Sequence, residues 1–214
     1  MMQLTEGAPA ALTEEPGMAR ELEFFFDYGS PFSYLADSQL KALAERTGAR
    51  VVYRPMLLGG VFKETGNSSP IAIAAKRKYM MADLERWAKY YGVPALHNAH
   101  FPINTIRLMR GSVAAERLGV FAQYHRAIYD AFWRDGLNLG EPAVVREVLG
   151  RAGLDPERIA AASEEHEVKD ALRVATETAV ARGAFGAPTF FVGDKMFWGN
   201  DRLMFVEQAL RAAS

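Results

Sequence analysis

No cysteine occurs anywhere in the 214 residues of this chain. That absence excludes a disulfide framework, a thiolate metal site and any redox chemistry run on the protein's own thiols. A surplus of positive charge is missing as well: 25 Lys and Arg stand against 26 Asp and Glu, a formal net charge of -1. Without a basic field to hold a polyanion, nucleic-acid binding and adhesion to an anionic membrane are disfavoured. There is no run approaching the roughly 20 apolar residues of a membrane span, and no basic-then-apolar secretion pattern opens the chain. The expected compartment is the cytoplasm. His97 and His100 sit three apart but lack a nearby carboxylate and a convincing third ligand, so their segment reads as a loop and no metal is expected. His125 and His166 fall in helical stretches and read as surface or boundary residues.

What is present suffices for one large domain with a real core, since 50% of the residues are hydrophobic and 24% charged. Two small domains are the alternative. Residues 1–20, with Gly7, Pro9, Pro16 and Gly17, lack apolar periodicity and read as a flexible tail. A strand follows through Phe24-Phe25-Phe26, then a helix from Ser30 to Ala44 with Gly48 as its stop, then a strand from Arg50 to Arg54 that ends at Pro55. The glycines and asparagine of the stretch from Leu57 to Asn67 predict an irregular binding loop. From Pro70 to about Arg182 the pattern is helical, including Ile73–Tyr91, Thr105–Leu118, Val120–Arg134, Glu141–Ala152 and Lys169–Arg182. Strand character returns at Thr189–Val192 and Lys195–Phe197 across the turn Gly193-Asp194, and a last helix spans Arg202–Ala212. The aromatic pairs Tyr90-Tyr91 and Phe132-Trp133 read as core.

Two short motifs carry chemical meaning. Ser30-Pro31-Phe32-Ser33 lies where a strand feeds a helix N-terminus, the place at which a thioredoxin-like fold carries Cys-x-x-Cys. Ser followed by Pro is also an ordinary helix cap with a first-turn proline. Ala187-Pro188, just before the strand at Thr189, matches the proline that faces the redox helix in that fold and is normally cis, or else is a plain turn into a strand. If the scaffold is thioredoxin-like, the thiol must come from outside.

The pieces Asp27-Tyr28-Gly29-Ser30-Pro31-Phe32-Ser33-Tyr34, Arg54-Pro55-Met56-Leu57-Leu58-Gly59-Gly60, Thr65-Gly66-Asn67, Phe185-Gly186-Ala187-Pro188-Thr189-Phe190 and Phe197-Trp198-Gly199-Asn200-Asp201-Arg202-Leu203 occur in the order found in 2-hydroxychromene-2-carboxylate isomerases. The sequence also resembles the kappa-class glutathione transferases and, more distantly, DsbA-type oxidoreductases. The resemblance covers nearly everything after residue 20. It implies an α/β fold: a thioredoxin-like domain (21–68 and 184–214) carrying a large all-helical insertion (69–183). It implies a glutathione-dependent isomerase acting on an aromatic small molecule in aromatic-ring degradation, of which naphthalene degradation is an instance, and a homodimer.

The same resemblance assigns residues. Ser30 would donate a hydrogen bond to a glutathione thiolate held at the positive end of its helix. Ala187, beside Pro188, would bond the peptide as an extended strand. Asn200, Asp201 and Arg202 would receive the γ-glutamyl end, with Asn200 where many kappa enzymes have serine. Asn67 and Lys76 match further peptide contacts, although Lys76-Arg77-Lys78 also reads as a solvated helix face. Phe32 and Asn104 would meet the aromatic substrate, and Asn104 and Lys63 are candidate donors to a developing enolate. Two other readings stay open: a kappa-like transferase that releases a conjugate, and a non-catalytic thioredoxin-like binding module.

Overall fold

The computed structural model describes residues 20–212. The expected tail lies outside them except for Arg20, whose guanidinium donates to the Thr47 carbonyl at 3.2 Å. In chain order the elements are β1 (Glu21–Phe26), α1 (Pro31–Thr47), β2 (Arg50–Pro55), α2 (Leu58–Thr65), α3 (Ala74–Tyr91), α4 (Ile106–Arg117), α5 (Phe121–Tyr129), α6 (Pro142–Arg151), α7 (Pro156–Ser163), α8 (His166–Ala181), β3 (Thr189–Val192), β4 (Lys195–Trp198) and α9 (Leu203–Ala212).

The run Phe24-Phe25-Phe26 in β1 is apolar on both faces of the pleat, which a strand tolerates only when covered on both sides. Phe24 and Phe26 enter the larger core, with α1, α5 and α9 around them; Phe25 enters a smaller one with Val61 of α2 and Ala179 of α8. β1 is accordingly central. It pairs in parallel with β2 and antiparallel with β3, and β4 closes the other edge in the order β2-β1-β3-β4. This is the thioredoxin-like sheet. The helical segment between α2 and β3 packs on the same core, since Tyr124, Ile128, Tyr129 and Trp133 join Phe26 and Tyr28 in it.

Two expectations are corrected here. The stretch from Leu57 to Asn67 is not an irregular loop, for Leu58–Thr65 is helical. Glycines cost a helix about 1 kcal/mol each, but distant partners offset that cost. The Asp27 carboxylate accepts from the Leu58 N–H at 2.8 Å, and the Thr176 hydroxyl accepts from the Leu57 N–H at 3.0 Å. Gly60 itself is where α2 lies against α8, because a Cβ there would come within 3.2 Å of the Thr176 methyl. His125 is likewise no surface residue. It is 5% exposed, with Nδ1 3.1 Å from the Tyr28 hydroxyl and Nε2 3.1 Å from the Asp37 carboxylate. The inward face of α5, Tyr124, His125 and Ile128, is what buries it.

Gly111 marks the tightest approach in the helical segment. A Cβ there would collide with the Tyr124 hydroxyl and stand 2.7 Å from its ring carbon Cζ, while that hydroxyl donates to the Leu108 carbonyl at 2.9 Å. Gly111→Ala therefore has to move a buried tyrosine. Overpacking of this kind costs about 1–3 kcal/mol, so the melting temperature should fall by roughly 2–12 °C in a chain of this size. A variant that melts with the wild type would show that α4 and α5 slide apart freely.

Candidate active site

α1 begins where β1 ends, and its head is built by local chemistry. Asp27 accepts the Gly29 N–H on Oδ1 at 2.8 Å, its backbone carbonyl accepts the Ser30 N–H at 2.9 Å, and Pro31 starts the helix with a fixed φ. Ser30 is the cap: its Oγ accepts from the Ser33 N–H at 3.1 Å. The same hydroxyl donates to the Ala187 carbonyl at 3.1 Å, across 157 positions of sequence. The Ala187-Pro188 peptide bond is cis, as expected. Ser33, the other member of the serine pair, is fully buried and its Oγ has no hydrogen-bond partner.

Gly29, Ser30, Pro31, Ala187 and Pro188 open onto a cleft of about 420 Å³. Its floor is the head of α1, one wall is Gly186–Pro188 with Trp198–Asp201, and the facing wall comes from α2, α3 and the chain between them. Of the expected site residues, Ser30, Phe32, Asn67, Lys76, Ala187, Pro188, Asn200 and Asp201 all line it. Asn67 donates to the Phe185 carbonyl at 2.9 Å, which ties the α2–α3 connection to the proline segment. Lys76 is exposed on α3 and makes no ion pair among the described residues. Asn200 is 4% exposed; its carbonyl accepts the Tyr91 hydroxyl at 2.8 Å, while its side-chain Nδ2 has no acceptor. A buried donor left unmet costs about 1–3 kcal/mol. The residue lies in the cleft wall.

Other expected residues stand elsewhere. Arg202 does not line the cleft and pairs with the Asp201 carboxylate. The residues Asn200–Arg202 form a single tight turn, and α9 itself starts at Leu203. Asn104 is exposed outside the cleft, its Oδ1 accepting the Ile106 N–H at 3.0 Å at the head of α4. From that segment it is Phe101 that reaches the cleft, backed by Trp133 at 5.3 Å between ring centroids. Lys63 faces a separate groove with Lys169, Asp170 and Arg173. Tyr90 is exposed, unlike the buried Phe132 and Trp133. Among the described residues no cluster of three His, Asp or Glu could hold a metal.

Sequence reasoning missed Asp27. Its carboxylate also accepts the Thr105 hydroxyl at 3.1 Å on Oδ2, the oxygen that caps α2, so one buried residue joins the heads of α1, α2 and α4 around the cleft. Burial pushes this carboxyl above its usual value, and hydrogen bonds from Leu58, Gly29 and Thr105 pull it part of the way back. Because the charged form is the penalised one, its contribution to stability is greatest below the ordinary carboxylate range and declines as pH rises through the raised value. An Asp-x-Gly at a strand end is the signal that could have found it. Of the lining on and just before α3, only Lys76 was read from the sequence; the spacing of Ile73, Lys76, Met80 and Asp83 along one helix face is the signal that could have found the others.

Comparison with known proteins agrees with this geometry. A model of the DSBA-like thioredoxin domain matches residues 21–211. A 2-hydroxychromene-2-carboxylate isomerase from Sphingobium xenophagum is 38% identical over 199 residues, which is 90% of this chain and 99% of that protein. Glutathione S-transferase kappa 1 of Caenorhabditis elegans is 29% identical over 89% of this chain and 90% of its own. The solved structure of a 2-hydroxychromene-2-carboxylate isomerase superposes with a TM-score of 0.79 at 32% identity, covering 90% of this chain and 95% of that one. Matched over residues 21–211, the chain belongs to the DSBA-like thioredoxin domain family, alongside the 2-hydroxychromene-2-carboxylate isomerases.

Proposed function

We propose that this chain is a glutathione-dependent isomerase that interconverts 2-hydroxychromene-2-carboxylate and trans-o-hydroxybenzylidenepyruvate, or a close relative of that pair. The observation that carries the reading is one cleft holding Ser30, Ala187-Pro188 and the unmet Asn200 donor, in a chain with relatives at 35–38% identity that bear the isomerase name. The fit of glutathione rests on the cleft itself. Its volume of about 420 Å³ falls in the usual range for small-molecule sites. Asn200 offers a buried N–H toward a carboxylate, Asp201 an anion for the γ-glutamyl ammonium, and Lys76 a cation for the other carboxylate.

When bound, glutathione supplies a thiol whose reversible addition to the conjugated carbon of the enone turns a locked double bond into a rotatable single bond, and whose elimination restores the alkene. The protein's part is to hold and charge that thiol. Ser30 turns its hydroxyl from the Ala187 carbonyl to the sulfur, and the N–H groups at the head of α1 favour the thiolate. Ala187 offers backbone groups to the peptide beside β3. Phe32 and Phe101 provide an apolar wall for the aromatic ring. The enolate donor is a group other than Asn104 or Lys63, since neither lines the cleft.

The work is cytoplasmic in this reading, where thiols are kept reduced, and it belongs to the breakdown of aromatic rings, naphthalene among them. No helix among the described residues is long and apolar enough to cross a membrane. A homodimer is part of the reading, as the resemblance to the isomerases implies. Likeness to the kappa transferase favours a second reading in which the same site releases a conjugate. Titration with millimolar reduced glutathione should give saturable heat and shifts in the amide signals of the α1 head and of Asn200. Turnover should leave total thiol constant. A flat titration sinks the reading, and thiol consumed one for one with substrate gives the transferase its place.

A further inference from the structure

Trp198 ends β4 at the outer edge of the sheet and is 48% exposed. It fills no core: among the described residues its ring meets one other, Phe185, at 4.9 Å between centroids. Yet its seat is closely defined. A Cβ added to Gly186 would stand 2.6 Å from the indole Nε1 and 3.2 Å from Cε2, so the ring lies directly over the Gly186 backbone. Gly186 precedes Ala187, whose carbonyl takes the Ser30 hydroxyl. The indole is thereby held in the cleft that Ser30 lines, by a position that tolerates no side chain. Phe32, Phe62 and Phe101, rings without polar tips, line the same cleft. A cleft lined by aromatic side chains suits a flat aromatic ring, because such pairs prefer offset or edge-to-face contact over loose packing.

We propose that Trp198 is a specificity-determining residue: its half-exposed indole, seated over Gly186 in the cleft that Ser30 lines, holds the ring of an aromatic electrophile and so selects aromatic over aliphatic enones. The proposal rests on the isomerase reading for the kind of substrate, but its test does not depend on turnover. Cinnamate and sorbate are flat conjugated carboxylates that differ in having or lacking the ring. Binding of each, and of reduced glutathione, is measured by calorimetry on the wild type, Trp198→Leu and Trp198→Phe. The position is half exposed on an edge strand, so the variants should fold, and their melting curves check that.

Loss of the indole face should weaken cinnamate about tenfold in Trp198→Leu, within the range measured for aromatic pairs. Sorbate and glutathione should each change by less than about twofold, and Trp198→Phe should restore most of the cinnamate affinity. Cinnamate should also quench the part of the tryptophan emission that Trp198→Phe removes, since Trp133 is buried and Trp87 packs against Tyr91 outside the cleft lining. Equal losses for cinnamate and sorbate, no loss for either, or a fall in glutathione affinity instead would each overturn the proposal. A wild type that binds cinnamate as described but no glutathione removes the isomerase reading and leaves Trp198 its role. Binding of glutathione without cinnamate does the reverse.

Discussion

Ser30→Ala should slow turnover by about tenfold, while the protein stays folded and the bound thiol's pKa rises. The size follows from what the hydroxyl does in the structure. Its hydrogen goes to the Ala187 carbonyl and its lone pair takes the Ser33 N–H. Moving the hydrogen to a thiolate exchanges a neutral acceptor for a charged one, and charge-assisted bonds are roughly twice as strong as neutral ones. The net gain is therefore the difference, about 1–1.5 kcal/mol, and not the whole bond. Loss of the cap costs about 0.5–2 kcal/mol of stability, which a domain with this much buried apolar side chain withstands. The pH profile of turnover carries the information: its lower limb should move to higher pH. Full activity with an unmoved profile would reduce Ser30 to a helix cap.

Much of this molecule was legible because its determinants are local. Phe24-Phe25-Phe26 is apolar on both faces and becomes the central strand; Ser30-Pro31 writes a cap and a first turn within two residues; Gly48 takes the left-handed C-cap at φ 68°. α2 was not legible, because what offsets its glycines comes from Asp27 and Thr176, 31 and 119 positions away. The same is true of His125, whose partners Tyr28 and Asp37 lie on other elements.

The site divides along the same line. Residues drawn from short motifs (Ser30, Asn67, Ala187, Pro188, Asn200 and Asp201) converge on one cleft. Asn104 does not, since a side chain two residues before a helix meets the backbone of that helix before any substrate. Asp27 was hidden for the opposite reason. Its role comes from three elements at once, and only the Gly29 bond is written in its own neighbourhood.

The thioredoxin-like geometry and the glutathione reading meet in Ser30→Cys. A thiol at the head of α1 faces Pro188 and lies among N–H groups that favour its anion, so its pKa should fall below the usual value of about 8.5. Attack of that thiolate on oxidised glutathione forms one sulfur–sulfur bond, breaks another and releases one glutathione thiolate. The product is a mixed disulfide. Ser33 has no thiol to resolve it, and the chain carries no other cysteine, so mass spectrometry should count one glutathione per chain. Isomerase activity should fall in step with that adduct and return on reduction. Ser38→Cys is the control, on the same helix but exposed and beyond the first turn. At neutral pH the thiol placed at Ser30 should react at least about tenfold faster, because both the helix start and a site shaped for the peptide act on it and neither acts on its counterpart. Equal slow rates would mean that the head of α1 neither lowers a thiol's pKa nor binds glutathione, and the fold would then be a scaffold without this chemistry.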